Sequence, residues 1–315
     1  GSSLNSMELY ETLTGNDRSH IDPSPLGGAT FYALRVVETD GDKGELSDPV
    51  SYYQGTQSVP ESWQLISLPF ETDGTAIENS VAYSFDGSYA VVDQLEAGKG
   101  YWIRSTADGG SNYEARGVGV QAMTLQLNAG WNLVGGLVGE LPNQFLIDDG
   151  GILNSTPMYA FNGSVYEESD AFNPGKGYWI YADQAGELSL DLAELSISLP
   201  LTVVMEKEND AVLDNYSFDR IEFESKGAVS ELLVSKDPLP GKDLNRFRLP
   251  PVAPGAVIDV RTTDGFRLAE GSRVEPDITV QDYPLTVRFA AAGSGESGRY
   301  SNSKKVLYEM TLFRN

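Results

Sequence analysis

The sequence predicts an all-β protein built from three modules, and three observations carry that reading. Glycine, proline and tyrosine are frequent, at 33, 16 and 16 of 315 residues, a composition suited to short strands joined by many turns. A tryptophan-bearing segment occurs twice in the middle of the chain, the mark of a duplicated folding unit. Beyond residue 192, short apolar runs are separated by Pro, Gly and Asp clusters at the spacing of a β-sandwich. The expected organisation is a short β segment over 1–55, a pseudo-symmetric two-repeat β domain over 56–191 and a C-terminal β-sandwich over 192–315.

In the first segment, Phe31 to Val37 reads as a strand with Tyr32, Leu34 and Val36 on one face by the two-residue period. The Asp40-Gly41-Asp42-Lys43-Gly44 run is a turn, and Val50 to Tyr53 supplies the returning strand of a hairpin.

The repeat is the most informative feature. Trp63-Gln64-Leu65-Ile66 recurs as Trp131-Asn132-Leu133-Val134, Tyr83-Ser84-Phe85-Asp86-Gly87-Ser88 as Tyr159-Ala160-Phe161-Asn162-Gly163-Ser164, and Gly98-Lys99-Gly100-Tyr101-Trp102-Ile103 as Gly175-Lys176-Gly177-Tyr178-Trp179-Ile180. All 4 Trp of the protein lie in it, at matching positions. The second copy is longer, and most of the excess falls around Pro142 to Ser155, which marks a loop insertion. Asp86-Gly87 and Asn162-Gly163 are two-residue type I′ signals for hairpins that return near Ser88–Val92 and Ser164–Glu168. Gly-Lys-Gly is a turn feeding a strand, its glycines allowing positive φ or the approach of another backbone. Neither copy is large enough to bury much alone, so both are expected to share one core.

In the last module, Leu199–Val204, Phe218–Phe223, Val229–Val234, Ala256–Arg261, Leu285–Ala290 and Val306–Phe313 read as strands. Pro250-Pro251-Val252-Ala253-Pro254-Gly255 is too proline-rich for a central strand and is expected to cross an edge or link the sheets.

Charge and composition exclude several functions. Lys+Arg 22 against Asp+Glu 46 leaves −24, which repels phosphate backbones, so nucleic acid is not an expected partner. No run approaches the roughly 18 apolar residues of a membrane span, so membrane insertion is not expected. With no Cys and His20 alone, disulfides, thiol nucleophiles and multi-histidine sites are out of reach. The acid excess suits either a surface hydrated in high salt or divalent cations. Asp40, Asp42, Glu45 and Asp48 are the candidate ligands for calcium, with Asp148-Asp149 a second candidate, although neither has the spacing of an EF-hand and a simple hairpin turn is the better explanation of the first. Tyr101, Trp102, Tyr178 and Trp179 are the candidate ligand-binding residues, as two equivalent platforms for sugar rings. Against that, neighbours on a strand face opposite ways, so one ring of each pair is expected in the core. A glycoside hydrolase using paired carboxylates is a further alternative, for which no spacing singles out two acids.

Three stretches resemble known families. The run from Asp22 to Tyr53, with Pro25-Leu26-Gly27-Gly28, the Phe31–Val37 strand, the Thr39-Asp40-Gly41-Asp42 turn and Leu46-Ser47, resembles the last strands of a fibronectin type III domain. The repeat from Trp63 to Ile180 resembles tandem segments that accompany such domains near the C-terminal end of large exported Bacteroidota-type proteins. Leu249-Pro250-Pro251-Val252, Ile258–Arg261 and Tyr283–Val287 are similar to the β-region that often precedes a type IX secretion sorting domain. The resemblance implies a non-catalytic module, extracellular or on the cell surface. Spacer, stalk or adhesion platform are the roles it suggests, with other protein modules or surface proteins as partners. A carbohydrate-binding module, with polysaccharide as partner, is the runner-up. No catalytic residue comes with the likeness, so no enzyme activity is expected.

Overall fold

The computed structural model describes residues 9, 11–13, 22, 27–72, 75–197, 216–271, 274–281, 284–290 and 308–312. Strands dominate throughout, in an all-β fold of mostly antiparallel sheets. The expected strand Leu199–Val204 and His20 lie outside the described residues.

The chain opens with β1 (Gly28–Tyr32), β2 (Arg35–Val37), β3 (Lys43–Leu46) and β4 (Val50–Val59). β1 pairs antiparallel with β4, Tyr32 opposite Val50 and Gly28 opposite Gln54. The structure corrects two expectations here. The strand expected over Phe31–Val37 breaks at Ala33-Leu34, and β2 pairs instead with β3 in a small separate hairpin. Leu34, Val36 and Val37 are exposed rather than sharing a buried face with Tyr32. β4 continues past residue 55 to Val59 along an uninterrupted ladder with a strand of the first repeat.

That repeat continues with β5 (Gln64–Ser67), β6 (Ser80–Phe85), β7 (Tyr89–Val92), β8 (Gly100–Ser105) and β9 (Ser111–Val118). The second consists of β10 (Ala122–Leu127), β11 (Gly130–Gly135), β12 (Leu141–Pro142), β13 (Tyr159–Phe161), β14 (Tyr166–Glu168), β15 (Ala171–Phe172), β16 (Gly177–Ala182) and β17 (Gly186–Asp191). Their sheets have one topology: β5-β8-β6-β7 corresponds to β11-β16-β13-β14. The registers agree too, with Leu65 opposite Trp102 and Tyr83 opposite Trp102 in the first copy, and Leu133 opposite Trp179 and Tyr159 opposite Trp179 in the second. In each copy the strand before the first Trp pairs with the strand after Tyr-Trp-Ile, β4 with β9 and β10 with β17. The insertion supplies β12, which pairs with β15, and then runs alongside β16 and β17 through bridges Leu153 to Ala182 and Ile147 to Ser189.

The hairpins form where expected, but not with type I′ turns. Only Gly87 and Gly163 have positive φ, at 72° and 100°, while Asp86 and Asn162 do not. The first loop has three residues between Phe85 and Tyr89; the second has four between Phe161 and Tyr166. In the second, Asn162 Oδ1 accepts from the N–H groups of Ser164 and Val165, doing with a side chain what a tighter turn does with backbone.

The last module comprises β18 (Asp219–Ser225), β19 (Ala228–Ser235), β20 (Ile258–Arg261), β21 (Leu268–Glu270), β22 (Asp277–Val280), β23 (Leu285–Ala290) and β24 (Tyr308–Leu312). A five-stranded sheet in the order β21-β19-β18-β23-β24 and the β20-β22 pair enclose Phe223, Leu232, Ile258, Val260, Leu285 and Val287. The pairing of β19 with β21 is parallel. β21 and β22, absent from the sequence reading, are short and broken by charge.

Candidate functional site

The Gly-Lys-Gly-Tyr-Trp-Ile elements meet at the centre of the molecule, where the two copies interlock through reciprocal backbone contacts. Ser67 N–H donates to Gly175 C=O at 3.0 Å, and its counterpart Gly135 N–H donates to Gly98 C=O at 3.0 Å. Bridges join Ile66 to Lys176 and Val134 to Lys99 in the same reciprocal manner. The second glycine of each motif permits this approach: a Cβ on Gly100 would lie 2.7 Å from the Val134 carbonyl oxygen, and one on Gly177 would lie 2.8 Å from that of Ile66. Both are closer than a real Cβ comes to anything, so a side chain there forces the copies apart.

The rings that follow face opposite sides, as strand geometry requires. Tyr101 and Tyr178 enter the core common to both copies, among Leu68, Leu95, Leu137 and Phe172. The Tyr101 hydroxyl accepts from the Glu96 N–H at 2.9 Å and the Tyr178 hydroxyl from the Asn173 N–H at 2.8 Å. Trp102 and Trp179 enter a second cluster, and each packs against rings of the opposite copy. Trp102 lies edge-on to Phe161 with centroids 4.8 Å apart, and Trp179 lies edge-on to Phe85 at the same 4.8 Å.

A segment of the last module covers this second cluster. Leu249, Ala253 and Ala256 pack into it, and a Cβ on Gly255 would fall 2.6 Å from that of Trp63. Pro250 and Pro251 have no N–H to give a ladder, and three successive carbonyls of the segment are instead taken by side chains. Pro250 C=O accepts from Arg261 Nη1 at 2.6 Å, Pro251 C=O from the Tyr166 hydroxyl at 2.6 Å, and Val252 C=O from the Tyr89 hydroxyl at 3.3 Å. Arg261 is itself held in a bidentate pair with Asp259, at 2.5 and 2.6 Å, and both are buried. Tyr89 and Tyr166 belong to opposite copies, so one strap ties both repeats to the sandwich. Arg248, whose guanidinium lies 4.4 Å from the Tyr181 ring and 4.6 Å from that of Phe266, adds a second tie.

Burial governs the electrostatics. It pushes the Tyr89 phenol up to about 12 and those of Tyr159 and Tyr166 up as well, the last well above its ordinary value. All three phenols are neutral at physiological pH and supply no charge, and it is Tyr89 and Tyr166 that donate hydrogen bonds to the strap.

The sequence-predicted site residues fare as follows. Tyr101, Trp102, Tyr178 and Trp179 come together, but they are only 0–2% exposed. They do not form open platforms, because the copies cover one face and the strap covers the other. Asp40, Asp42, Glu45 and Asp48 are not brought together: among the described residues no three acidic or histidine side chains converge. Asp40 instead accepts from the Asp42 N–H at 3.1 Å and closes its own turn. Asp148 is spent similarly, its two oxygens accepting from the N–H groups of Ile152 and Leu153. Sequence reasoning missed Tyr89, Tyr166, Arg261 and Arg248. The tyrosines were visible as repeated residues after the Asp-Gly and Asn-Gly turns, but their acceptors lie far downstream.

Two grooves flank the interlock. One, of about 430 Å³, lies between the insertion and the last module, and its lining includes Asn143, Thr156, Arg246 and Arg267. Arg267 pairs across it with Glu168 at 2.5 Å. The other, of about 550 Å³, lies between the first copy, where Trp63 and Tyr113 line it, and the second copy's turns at 161–163 and 174–176. No protein-family model, curated protein or solved structure matches the chain.

Proposed function

We propose that the chain is a non-catalytic module of a secreted or surface-attached bacterial protein, acting as a spacer, stalk or adhesion platform outside the cell. Its partners are other protein modules, surface proteins or polysaccharide. The reading is supported by what the conspicuous residues do: Trp63, Trp102 and Trp179, the two Gly-Lys-Gly turns and the paired Tyr89 and Tyr166 are engaged in joining one part of the chain to another. The observation that carries it is the proline strap, whose carbonyls are held by a tyrosine from each repeat and by an arginine of the sandwich. A part that transmits load or fixes a spacing must move as one piece, and a seam that ties three pieces together is suited to that.

The test is the cooperativity of unfolding. Tryptophan fluorescence reports the seam, and far-UV circular dichroism reports all the sheets. In a urea titration the two should give one coincident transition. Separate transitions for the repeats and the sandwich would mean independently hinged parts and would overturn the proposal.

A further inference from the structure

The two repeats are alike in topology and register, so a difference between equivalent positions singles out what one copy does and the other does not. Val59 and Leu127 each stand four residues before the first Trp of their copy, and each closes its ladder, opposite Ser111 and opposite the last residue pairing, Gly186. Counting back along both strands sets Gln57 against Leu125 and Tyr113 against Leu188. In the second copy both positions are leucines buried in the core, Leu188 completely. In the first they are half-buried and line the groove of about 550 Å³.

The loop glycines report the same difference independently. A Cβ on Gly98, which faces the second copy, would lie 3.1 Å from Met123 Sδ and 3.5 Å from a methyl of Leu125. On Gly175, which faces the first copy, the nearest atom would be the Tyr53 hydroxyl, 3.9 Å away. One side of the pseudo-dyad is filled with aliphatic side chains; the other is left open.

The lining identifies the ligand class. Tyr53 stacks on Phe70 in the floor, with ring planes 21° apart, and Trp63, Tyr113 and Phe161 are half-buried around it. Gln57 and Gln64 also line the groove; Gln57 Nε2 donates to the Tyr53 hydroxyl at 3.1 Å and Gln64 Nε2 to the Ser58 carbonyl at 3.2 Å, which orients both amides. None of the lining residues is acidic, although the chain has 46 acids, and Lys176 is the single cation among them. A volume of this size takes a ligand of a few sugar units. Ring faces suit the C–H faces of pyranoses, and amides suit hydroxyls as donor and acceptor at once. We propose that this groove binds a neutral glycan chain.

The experiment is isothermal titration calorimetry of the full chain against neutral glycans, namely β-1,3- and β-1,4-glucan, mannan, xylan and chitin oligosaccharides, with alginate as the charged comparison. Two variants copy the second repeat into the first, Gln57→Leu and Tyr113→Leu. A control, Thr124→Ala, lies on an exposed face of the second repeat. At least one neutral glycan should bind, and each groove variant should weaken it roughly tenfold or more, about 1.4 kcal/mol. The control should leave it unchanged. Gln57→Leu keeps the side-chain volume, so its melting temperature should stay within a few degrees and its binding loss is then read on a folded protein. Absence of binding by every neutral glycan at millimolar concentration would overturn the proposal. So would a preference for alginate, or affinity unaltered in Gln57→Leu. Cooperative unfolding is independent of all these outcomes, so the groove can fail while the spacer reading stands.

Discussion

The two repeats share their strand order, their registers and the reciprocal contacts at their junction, yet one packs its outer ladder with leucines and the other with glutamine, tyrosine and glycine. What the copies hold in common is the interlock; what they hold separately is the surface beyond it. The constraint is stereochemical at the junction, where a Cβ on Gly100 or Gly177 would come within 3 Å of a carbonyl oxygen of the opposite copy. It is looser on the ladders, where Leu188 and Tyr113 occupy equivalent places at very different exposure. A duplicated unit can therefore diverge on one face while the pairing that defines it is kept.

The largest effect expected of that comparison is also its most symmetrical. Trp102 and Trp179 are both fully buried, each against rings of the other copy. Truncating either to Ala removes a whole indole from a site that cannot collapse, at a cost of about 3–5 kcal/mol. Urea denaturation should return similar losses for the two. A loss confined to one would mean that the interlock depends on that copy alone.

Alkaline pH should sharpen the contrast at one position, because the first copy holds the phenol of Tyr113 where the second holds Leu188. Burial raises Tyr53, Tyr89, Tyr101, Tyr113, Tyr159 and Tyr166 above their ordinary value. A phenol near 10 in the unfolded chain and near 12 in the fold, as for Tyr89, loses its proton first in the unfolded state. Its contribution is intact below pH 10 and falls as pH rises from there to about 12. Melting temperature should hold level through neutral pH and drop above 10, and the tyrosinate absorbance of these buried phenols should appear with unfolding. In Tyr113→Leu the drop should be shallower, since one of these phenols is replaced by its counterpart's leucine. An unchanged alkaline slope in that variant would show that Tyr113 is not among the groups that titrate on unfolding.

Much of this was legible because the chain writes its central motif twice. Gly-Lys-Gly-Tyr-Trp-Ile reads as a turn and a strand from glycine, aromatic and β-branched preferences alone, and duplication marks where each copy begins. Alternation in Met123-Thr124-Leu125-Gln126-Leu127 against Gly55-Thr56-Gln57-Ser58-Val59 even records which ladder is packed. What stayed hidden depends on contacts distant along the chain. That Gly100 serves close approach requires knowing that Val134 lies against it. The burial of both faces of Tyr-Trp-Ile depends on a strap that begins some 70 residues after Trp179. The break at Ala33-Leu34 is invisible for a similar reason: Phe31 to Val37 has uniform strand character, and only the partner β4, which pairs no further than Val50 with Tyr32, ends the ladder there. Hairpin type was lost to a local effect, since Asp86 and Asn162 tolerate positive φ but are not required to adopt it.

The smallest effect tests the asymmetry itself. Gly98 and Gly175 have nearly the same backbone, with φ of 80° and 77°, so replacing either by Ala incurs the same conformational cost of about 1–2 kcal/mol. The two differ only in what the new methyl meets. At Gly98 it comes to 3.1 Å of Met123 Sδ, and at Gly175 nothing lies nearer than 3.9 Å. Gly98→Ala should therefore be the more destabilising by a few tenths of a kcal/mol, because methionine is flexible and gives way in part. Adding Met123→Ala to Gly98→Ala should remove the difference, measured as a coupling in a double-mutant cycle. Equal losses for the two glycines, without any coupling to Met123, would mean that the second copy is no more tightly filled than the first and that the open groove is not a distinction between them.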